Sequence, residues 1–275
     1  MSELRYWLWL SALTGVRPRV KQELISRFGG VRELFFSPVE ELAGLDMLTS
    51  EEREALKSRR LDAALDILER CEREEIGILT IQDAAYPRRL AQIYDPPLVL
   101  YVRGRLPSVD DLAAVAIVGT RRATPYGLKM ATRLGYELTR CGALVVSGLT
   151  SGVDAAAAKG ALLAGGSCIG VLGSAIDDRR WGGPLARDVE TVGAIVSEYP
   201  PGAQGHAAFF RARNRITSGL TVACVVAEAP AKSGALLFAD EALSQGREVF
   251  AVPANADAPA AAGSNALLKE GASPA

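Results

Sequence analysis

From about residue 113 onward, short apolar runs recur at 115–118, 143–147, 168–172, 194–197, 222–227 and 248–252, and helix-length segments separate most of them. A strand with one wet face alternates apolar and polar residues; a run that is apolar throughout is covered on both faces. The pattern therefore predicts an α/β fold, a doubly wound and mostly parallel sheet with crossover helices on either side. Ligands of such sheets sit beyond the carboxyl ends of the strands, near the point where strand order reverses. The residues that follow each run are thus the ones to examine.

The rest of the 275 residues reads differently, and the length suits about two domains. Residues 1–75 are expected to form a small helical domain. Leu24, Ile25 and Phe28 recur at helical spacing, as do Leu61, Ala64, Leu65 and Leu68, with breaks at Gly15, Gly29-Gly30 and Gly44. Ser50, ahead of Glu51 and Glu52, reads as a helix N-cap. The turns 13–16 and 42–45 suit either helix-hairpin-helix elements that offer backbone N–H groups to phosphates or ordinary bundle turns. Residues 1–110 carry 16 basic and 18 acidic groups, which does not favour the first. Residues 76–108 are expected as an extended connector. Two short β-like runs, 76–81 and 98–102, flank Tyr86-Pro87 and Asp95-Pro96-Pro97, which forbid a long helix between them. Residues 109–275 then form the sheet domain.

With 49% hydrophobic and 23% charged residues there is material for packed cores, which excludes wholesale disorder. Lys and Arg total 31 against 32 Asp and Glu, so bulk charge draws in neither nucleic acid nor an acidic membrane, and any anion site must come from local clustering. Cys71, Cys141, Cys168 and Cys224 lie 70, 27 and 56 residues apart. No CxxC pair exists for a zinc ribbon, and the spacing argues for reduced thiols in a cytoplasmic protein. No signal peptide is legible, and the charge-free stretch 160–176 is broken by Gly165-Gly166-Ser167, so no membrane span, metal or cofactor is expected.

After the first run of the sheet domain comes Gly119-Thr120-Arg121-Arg122-Ala123-Thr124-Pro125-Tyr126-Gly127. It is neither a GxGxxG dinucleotide fingerprint nor a GxxxxGK[ST] phosphate loop. It is a glycine turn at a helix start, where backbone N–H groups and the helix dipole favour a phosphate, unless its arginines are merely solvated. The second run ends in Ser147-Gly148-Leu149-Thr150-Ser151-Gly152-Val153-Asp154, whose spacing is not that of a nucleophile elbow. The one histidine, His206, falls in an apparent loop and gives poor support to a catalytic triad. Phe209-Phe210-Arg211-Ala212-Arg213-Asn214-Arg215 places three arginines in five residues, and Lys232-Ser233-Gly234 opens a later helix. Residues 115–136 hold Arg121, Arg122, Lys129 and Arg133 without an acid, and residues 199–227 hold Arg211, Arg213 and Arg215 without one. Two such windows at one sheet edge predict a focused positive pocket. Several adjacent phosphate contacts suit a nucleotide or a single strand of nucleic acid, with Phe209, Phe210 and Tyr126 available either for base stacking or for packing.

In order along the chain, Tyr86-Pro87, Asp95-Pro96-Pro97, Leu100-Tyr101, Ile117-Val118-Gly119-Thr120-Arg121-Arg122, Ser147-Gly148-Leu149 and Gly152-Val153-Asp154 resemble segments of the DprA/Smf family (DNA-processing protein A). So do Ser197-Glu198-Tyr199-Pro200, Arg213-Asn214-Arg215-Ile216, Ser233-Gly234-Ala235-Leu236 and Gly246-Arg247-Glu248-Val249-Phe250-Ala251-Val252-Pro253. The resemblance implies an extended Rossmann-like fold behind a sterile-alpha-motif-like helical domain, and a homodimer. It implies a non-enzymatic protein of natural transformation and recombination, which protects incoming single-stranded DNA, displaces single-strand-binding protein and loads the RecA recombinase. The DNA-binding residues it implies are Arg121, Ser147, Gly148, Arg213, Asn214, Arg215 and Lys232, with Arg122 beside them; Gly119, Thr120, Ser233 and Gly234 complete the expected phosphate site. Ala158 stands where the family has histidine, Arg180-Trp181 where it has Tyr-Pro, Phe238 at a threonine-like position and Ala254 where glycine is usual. The winged helix that ends many members is not expected in a chain that stops at Ala275. The rival reading is an enzyme, a Rossmann-like phosphoribohydrolase acting on nucleoside monophosphates, with Asp154 and Glu228 as its candidate carboxylates; its Pro-Gly-Gly-x-Gly-Thr-x-x-Glu motif is not found.

Overall fold

In a computed structural model describing residues 3–180 and 183–275, the apolar runs become strands of one nine-stranded sheet. The strands are β1 (Gly77–Thr80), β2 (Val99–Gly104), β3 (Ala114–Gly119), β4 (Leu144–Ser147), β5 (Cys168–Val171), β6 (Ala194–Ser197), β7 (Ala223–Glu228), β8 (Glu248–Ala251) and β9 (Ser273–Pro274). Their order is β1-β2-β6-β5-β4-β3-β7-β8-β9, with every pairing from β6 through to β9 parallel. The order reverses between β3 and β7. The carboxyl ends of those two strands, at Gly119 and Glu228, therefore define the switch point.

Both faces are buried, as runs lacking polar alternation require. Val115 and Ile117 of β3 face one core, with Ala157, Ala158 and Ala161 of the helix Val153–Leu163. Ala116 and Val118 point to the other side, against Phe238, Ala239 and Ala242 of the helix Gly234–Ser244. The first core continues into the N-terminal helices through Trp7, Trp9, Leu24 and Leu56, which join Val99 and Tyr101 of β2.

Residues 76–108 contribute more than a connector. β1 and β2 form an antiparallel pair, and β2 then lies antiparallel to β6, with Tyr101 opposite Ser197 and Val102 opposite Val196. The segment is the antiparallel end of the sheet and caps what would otherwise be an open parallel edge. The N-terminal region folds as six helices within Leu4–Arg73. The cap expected at Ser50 is Thr49. Its hydroxyl accepts from Glu52 N–H at 3.2 Å, and the Glu52 carboxylate accepts from Thr49 N–H at 2.9 Å, a reciprocal capping box.

Candidate nucleic-acid interface

At the switch point lies a cavity of about 520 Å³, walled by the loop after β3, the loop after β4, the helix Ala207–Gly219 and the start of the helix Gly234–Ser244. Five cationic side chains line it, Arg121, Arg122, Arg211, Arg213 and Lys232, against the single carboxylate of Asp154. The charge is focused at one site of a chain whose net charge is −1.

The loop after β3 is held from beneath. Thr120 N–H donates to the Glu228 carbonyl at 2.8 Å, where the β3–β7 register shifts. The Glu228 carboxylate accepts from Thr124 N–H at 2.7 Å and from its hydroxyl at 2.5 Å. Thr124 in turn caps the helix Pro125–Arg140 by accepting from Gly127 N–H, and Arg122 N–H donates to Thr120 Oγ1. This revises the expected phosphate cradle. The N–H groups of Thr120, Arg122 and Thr124 are spent inside the protein, and a carboxylate already sits at the helix N-terminus. The loop presents Arg121 and Arg122 to the cavity, with Gly119 and Thr120 beside them. The second helix start differs: Ser233 caps Gly234–Ser244 by accepting from Ala235 N–H, its first turn has no acid, and Lys232, Ser233 and Gly234 all border the cavity. There the positive end of the dipole adds to the field.

The loop after β4 supplies rigidity. Ser147 is fully buried and donates from Oγ to the Asp154 carbonyl while accepting from Leu149 N–H. Leu149 takes φ 50°, the left-handed region that a bulky residue rarely enters, and its side chain is buried. Gly152, at φ 75°, lies so close to the Thr120 and Arg121 carbonyls that a Cβ would collide with both. The two loops are thereby locked together, with Val153 N–H donating to the Thr120 carbonyl. Gly148 faces Arg213 and Asp154 at a distance that no side chain could share.

Arg213 is 8% exposed and donates from Nη1 to the Val171 carbonyl at 2.8 Å. Burial pushes its pKa down, and the nearby Asp154 opposes that shift. Burial likewise pushes the Asp154 carboxyl up, countered by Arg213 and by the Thr150 hydroxyl, which donates to Oδ2 at 2.8 Å. This pair forms the cavity floor. Arg122, Arg211 and Lys232 form no ion pair with any described residue, and Arg121 lies over the Phe210 ring at 5.4 Å from its centroid.

Of the twelve residues singled out in the sequence, Gly119, Thr120, Arg121, Arg122, Gly148, Arg213, Asn214, Lys232, Ser233 and Gly234 border this cavity. Ser147 and Arg215 do not. Arg215 points away, to Glu198 at 2.6 and 2.8 Å and to Asp95 at 3.1 Å, so carboxylates reached through the fold neutralise one member of the acid-free window. Lys129 and Arg133, from the other window, stand on the exposed face of the helix Pro125–Arg140. The aromatics also separate. Phe210 borders the cavity, Phe209 stacks on Tyr199 with centroids 3.7 Å apart, and the Tyr126 hydroxyl donates to the Pro253 carbonyl at 2.7 Å.

His206 is the last residue of the loop 203–206. It caps the helix Ala207–Gly219, with Nδ1 accepting from Ala208 N–H. Not singled out as contacts were Arg211, Thr150, Thr217, Leu237 and Phe238, all of which border the cavity. Helical spacing was the available signal for two of them: Ala207, Phe210, Arg211, Asn214 and Thr217 recur three and four apart. Among the positions that depart from the resembled pattern, Ala158 is buried in the core and Phe238 is part of the cavity wall. Arg180 pairs with Asp178 at 2.8 Å, Ala254 N–H donates to Asn265, and Trp181 lies outside the described residues.

The family model described as DNA recombination-mediator protein A matches residues 77–275. Protein Smf of Synechocystis is 34% identical over 281 residues, covering 98% of this chain and 70% of the relative. The DNA processing protein DprA of Bacillus subtilis is 38% identical over 199 residues, covering 72% and 67% respectively. Among solved structures, DNA processing protein A of Streptococcus pneumoniae superposes with a TM-score of 0.79 at 28% identity, covering 100% of this chain and 95% of that one. That of Helicobacter pylori, described for its single-stranded DNA binding mode, gives 0.64 at 29% identity over 72% of this chain and 89% of that one.

Proposed function

Because the chain belongs to the DNA recombination-mediator protein A family, we propose that the cavity between β3 and β7 holds the sugar-phosphate backbone of single-stranded DNA. The observation that carries this reading is the convergence of Arg121, Arg122, Arg211, Arg213 and Lys232 on one open site with a single, buried carboxylate. Arg121 and Arg122 clamp phosphate oxygens from the loop after β3, and Lys232 adds a point charge at a helix N-terminus. Arg213, tied to the Val171 carbonyl and beside Asp154, shapes the floor. Phe210 and Leu237 offer apolar surface to a base or sugar. Contacts of this kind read a backbone and not a sequence, which suits a protein that must accept any incoming strand.

The role we infer is non-catalytic: protection of single-stranded DNA in transformation and its transfer to RecA in place of single-strand-binding protein, by a homodimer in the cytoplasm. The engagement of both candidate carboxylates supports the absence of a hydrolytic step. Glu228 is committed to Thr124, and Asp154 to Thr150 and Arg213, so neither is placed to activate a water. Among the described residues no helix is long and apolar enough to cross a membrane. The test is a titration of fluorescent single-stranded against duplex oligonucleotides, with a parallel incubation with AMP. Salt-sensitive single-strand binding without release of adenine is the expected result, and robust adenine release would replace this reading with the phosphoribohydrolase.

A further inference from the structure

The cavity does not use all of the positive charge that the sequence concentrates near it. The helix Pro125–Arg140 begins at the cavity rim, directly after Arg121, Arg122 and the cap Thr124. It buries Gly127 against the Glu228 side chain and Gly135 against the Ala157 backbone of the helix Val153–Leu163, with Ala131 between them. On the opposite, exposed crest stand Lys129, Arg133, Tyr136 and Arg140, spaced four, three and four residues apart. At about 1.5 Å rise per residue they form a straight row running roughly 6 to 23 Å from the helix start. Neither Lys129, Arg133 nor Arg140 makes an ion pair with any described residue, and the helix carries one acid, Glu137. Solvated helix faces ordinarily alternate charge sign to gain pairing three and four residues apart. Here Glu137 stands exposed four residues after Arg133 and three before Arg140 without forming an ion pair with either, and Lys129 has no acid three or four residues away. The tyrosine among them, 36% exposed, presents a ring where a base could lie.

We propose that this crest is a track along which the DNA strand leaves the cavity, with Lys129 and Arg133 each neutralising a phosphate beyond those held inside. The proposal rests on the reading of the cavity as a single-stranded DNA site. Its occupant is argued from continuity: the helix that follows Arg121 and Arg122 carries Lys129 and Arg133, without ion pairs among the described residues, on its exposed face, so a polyanion seated at those arginines meets them next. The cavity then grips a few nucleotides, and the track sets how much longer strands gain.

The experiment compares an oligo-dT hexamer with an oligo-dT of about twenty nucleotides by fluorescence anisotropy, on the whole chain. The variants are Lys129→Gln/Arg133→Gln, which keeps helix propensity, Lys129→Arg/Arg133→Lys, which keeps charge, and Arg121→Gln in the cavity. Each neutralised phosphate changes the log–log salt slope by about 0.7 for single strands. The glutamine pair should therefore weaken the long oligonucleotide roughly ten- to thirty-fold at about 0.1 M salt and reduce its slope by about 1.4. The hexamer should be bound as before, and the charge-keeping pair should bind both as the parent does. Equal losses at both lengths, or no loss at either, overturn the track, the latter leaving the crest to an acidic protein surface. If Arg121→Gln binds both lengths as the parent while the glutamine pair still weakens the long one, the cavity reading fails, and the crest is a DNA contact in its own right but not an exit from the cavity. A thermal melt of each variant identifies any that has lost its fold, in which case single substitutions at Lys129 and at Arg133 carry the same comparison.

Discussion

The carboxylate of Glu228, at the end of β7, grips Thr124 twice, taking its backbone N–H at 2.7 Å and its hydroxyl at 2.5 Å. The residue is 2% exposed, so these charge-assisted bonds fix the position of the Gly119–Thr124 loop and the two arginines it carries. Glu228→Gln separates two effects. Losing a negative charge near a phosphate site should strengthen DNA binding if only the field matters, but the amide cannot accept at both points and leaves one donor without its partner. We expect stability to fall by about 1–3 kcal/mol in denaturant titrations and single-strand affinity to fall with it. A tighter complex would mean that the loop needs no anchor.

Arg213 and Arg215 lie two positions apart on one helix, and so about 200° apart around its axis. Arg213 borders the cavity, whereas Arg215 is turned to Glu198 and Asp95. Arg215 should behave as a structural residue, because its replacement leaves Glu198 and Asp95 without their cation. Arg215→Ala is expected to cost on the order of 3 kcal/mol of folding free energy without changing the salt slope of DNA binding in whatever fraction remains folded. Arg122→Gln should do the reverse, lowering the slope by about 0.7 with little effect on the melting temperature. Interchanged outcomes would reverse the two assignments.

A methyl group at Gly148 would overlap the Arg213 guanidinium and the Asp154 carboxylate. Gly148→Ala should displace the cavity floor at a cost of about 1–3 kcal/mol and lower DNA affinity, each 1.4 kcal/mol of lost binding being about tenfold. Anisotropy and denaturant melts on the same sample measure both. Unaltered binding would place the strand away from Gly148.

The pH dependence of the N-terminal helices should centre on Glu52. Hydrogen bonds from the Arg17 side chain at 2.7 and 2.9 Å, joined by the Thr49 N–H, hold its carboxyl down to about 2. A carboxylate depressed in the folded state adds stability above its ordinary pKa of 4.5 and loses it as pH falls toward 2. The melting temperature of the parent chain should therefore fall more steeply than that of Glu52→Gln across this window. Parallel curves would show that the Arg17 pairing contributes nothing, an outcome its solvent-exposed partner makes a real test.

The parallel strands were legible because burial on both faces writes itself locally: residues 194–197 are apolar enough to fix β6 to the residue. The partners of β1 and β2 were not, since nothing in 76–81 or 98–102 records that β2 lies against β6 almost a hundred residues away. At the site, charge windows located the cations but counted only sequence neighbours. Asp95 and Glu198, 120 and 17 residues from Arg215, entered through folding alone. The same blindness hid the use of the loop N–H groups, because Glu228 is 104 residues from Thr124. Helical periodicity would have added Arg211 and Thr217 to Phe210 and Asn214, had the helix Ala207–Gly219 been assigned first; it could not have set Arg215 aside, since Arg211 and Arg213 stand at the same spacing and both border the cavity.

The most direct measurement is a salt titration of oligo-dT against a duplex of equal length, on the parent chain and on Arg122→Gln/Lys232→Gln. Tighter binding of the single strand, with a log–log slope that drops by about 1.4 in the double variant, is the result expected of a cavity whose unpaired cations neutralise phosphates. A parent chain that does not distinguish the two, or a double variant with an unchanged slope, would contradict it.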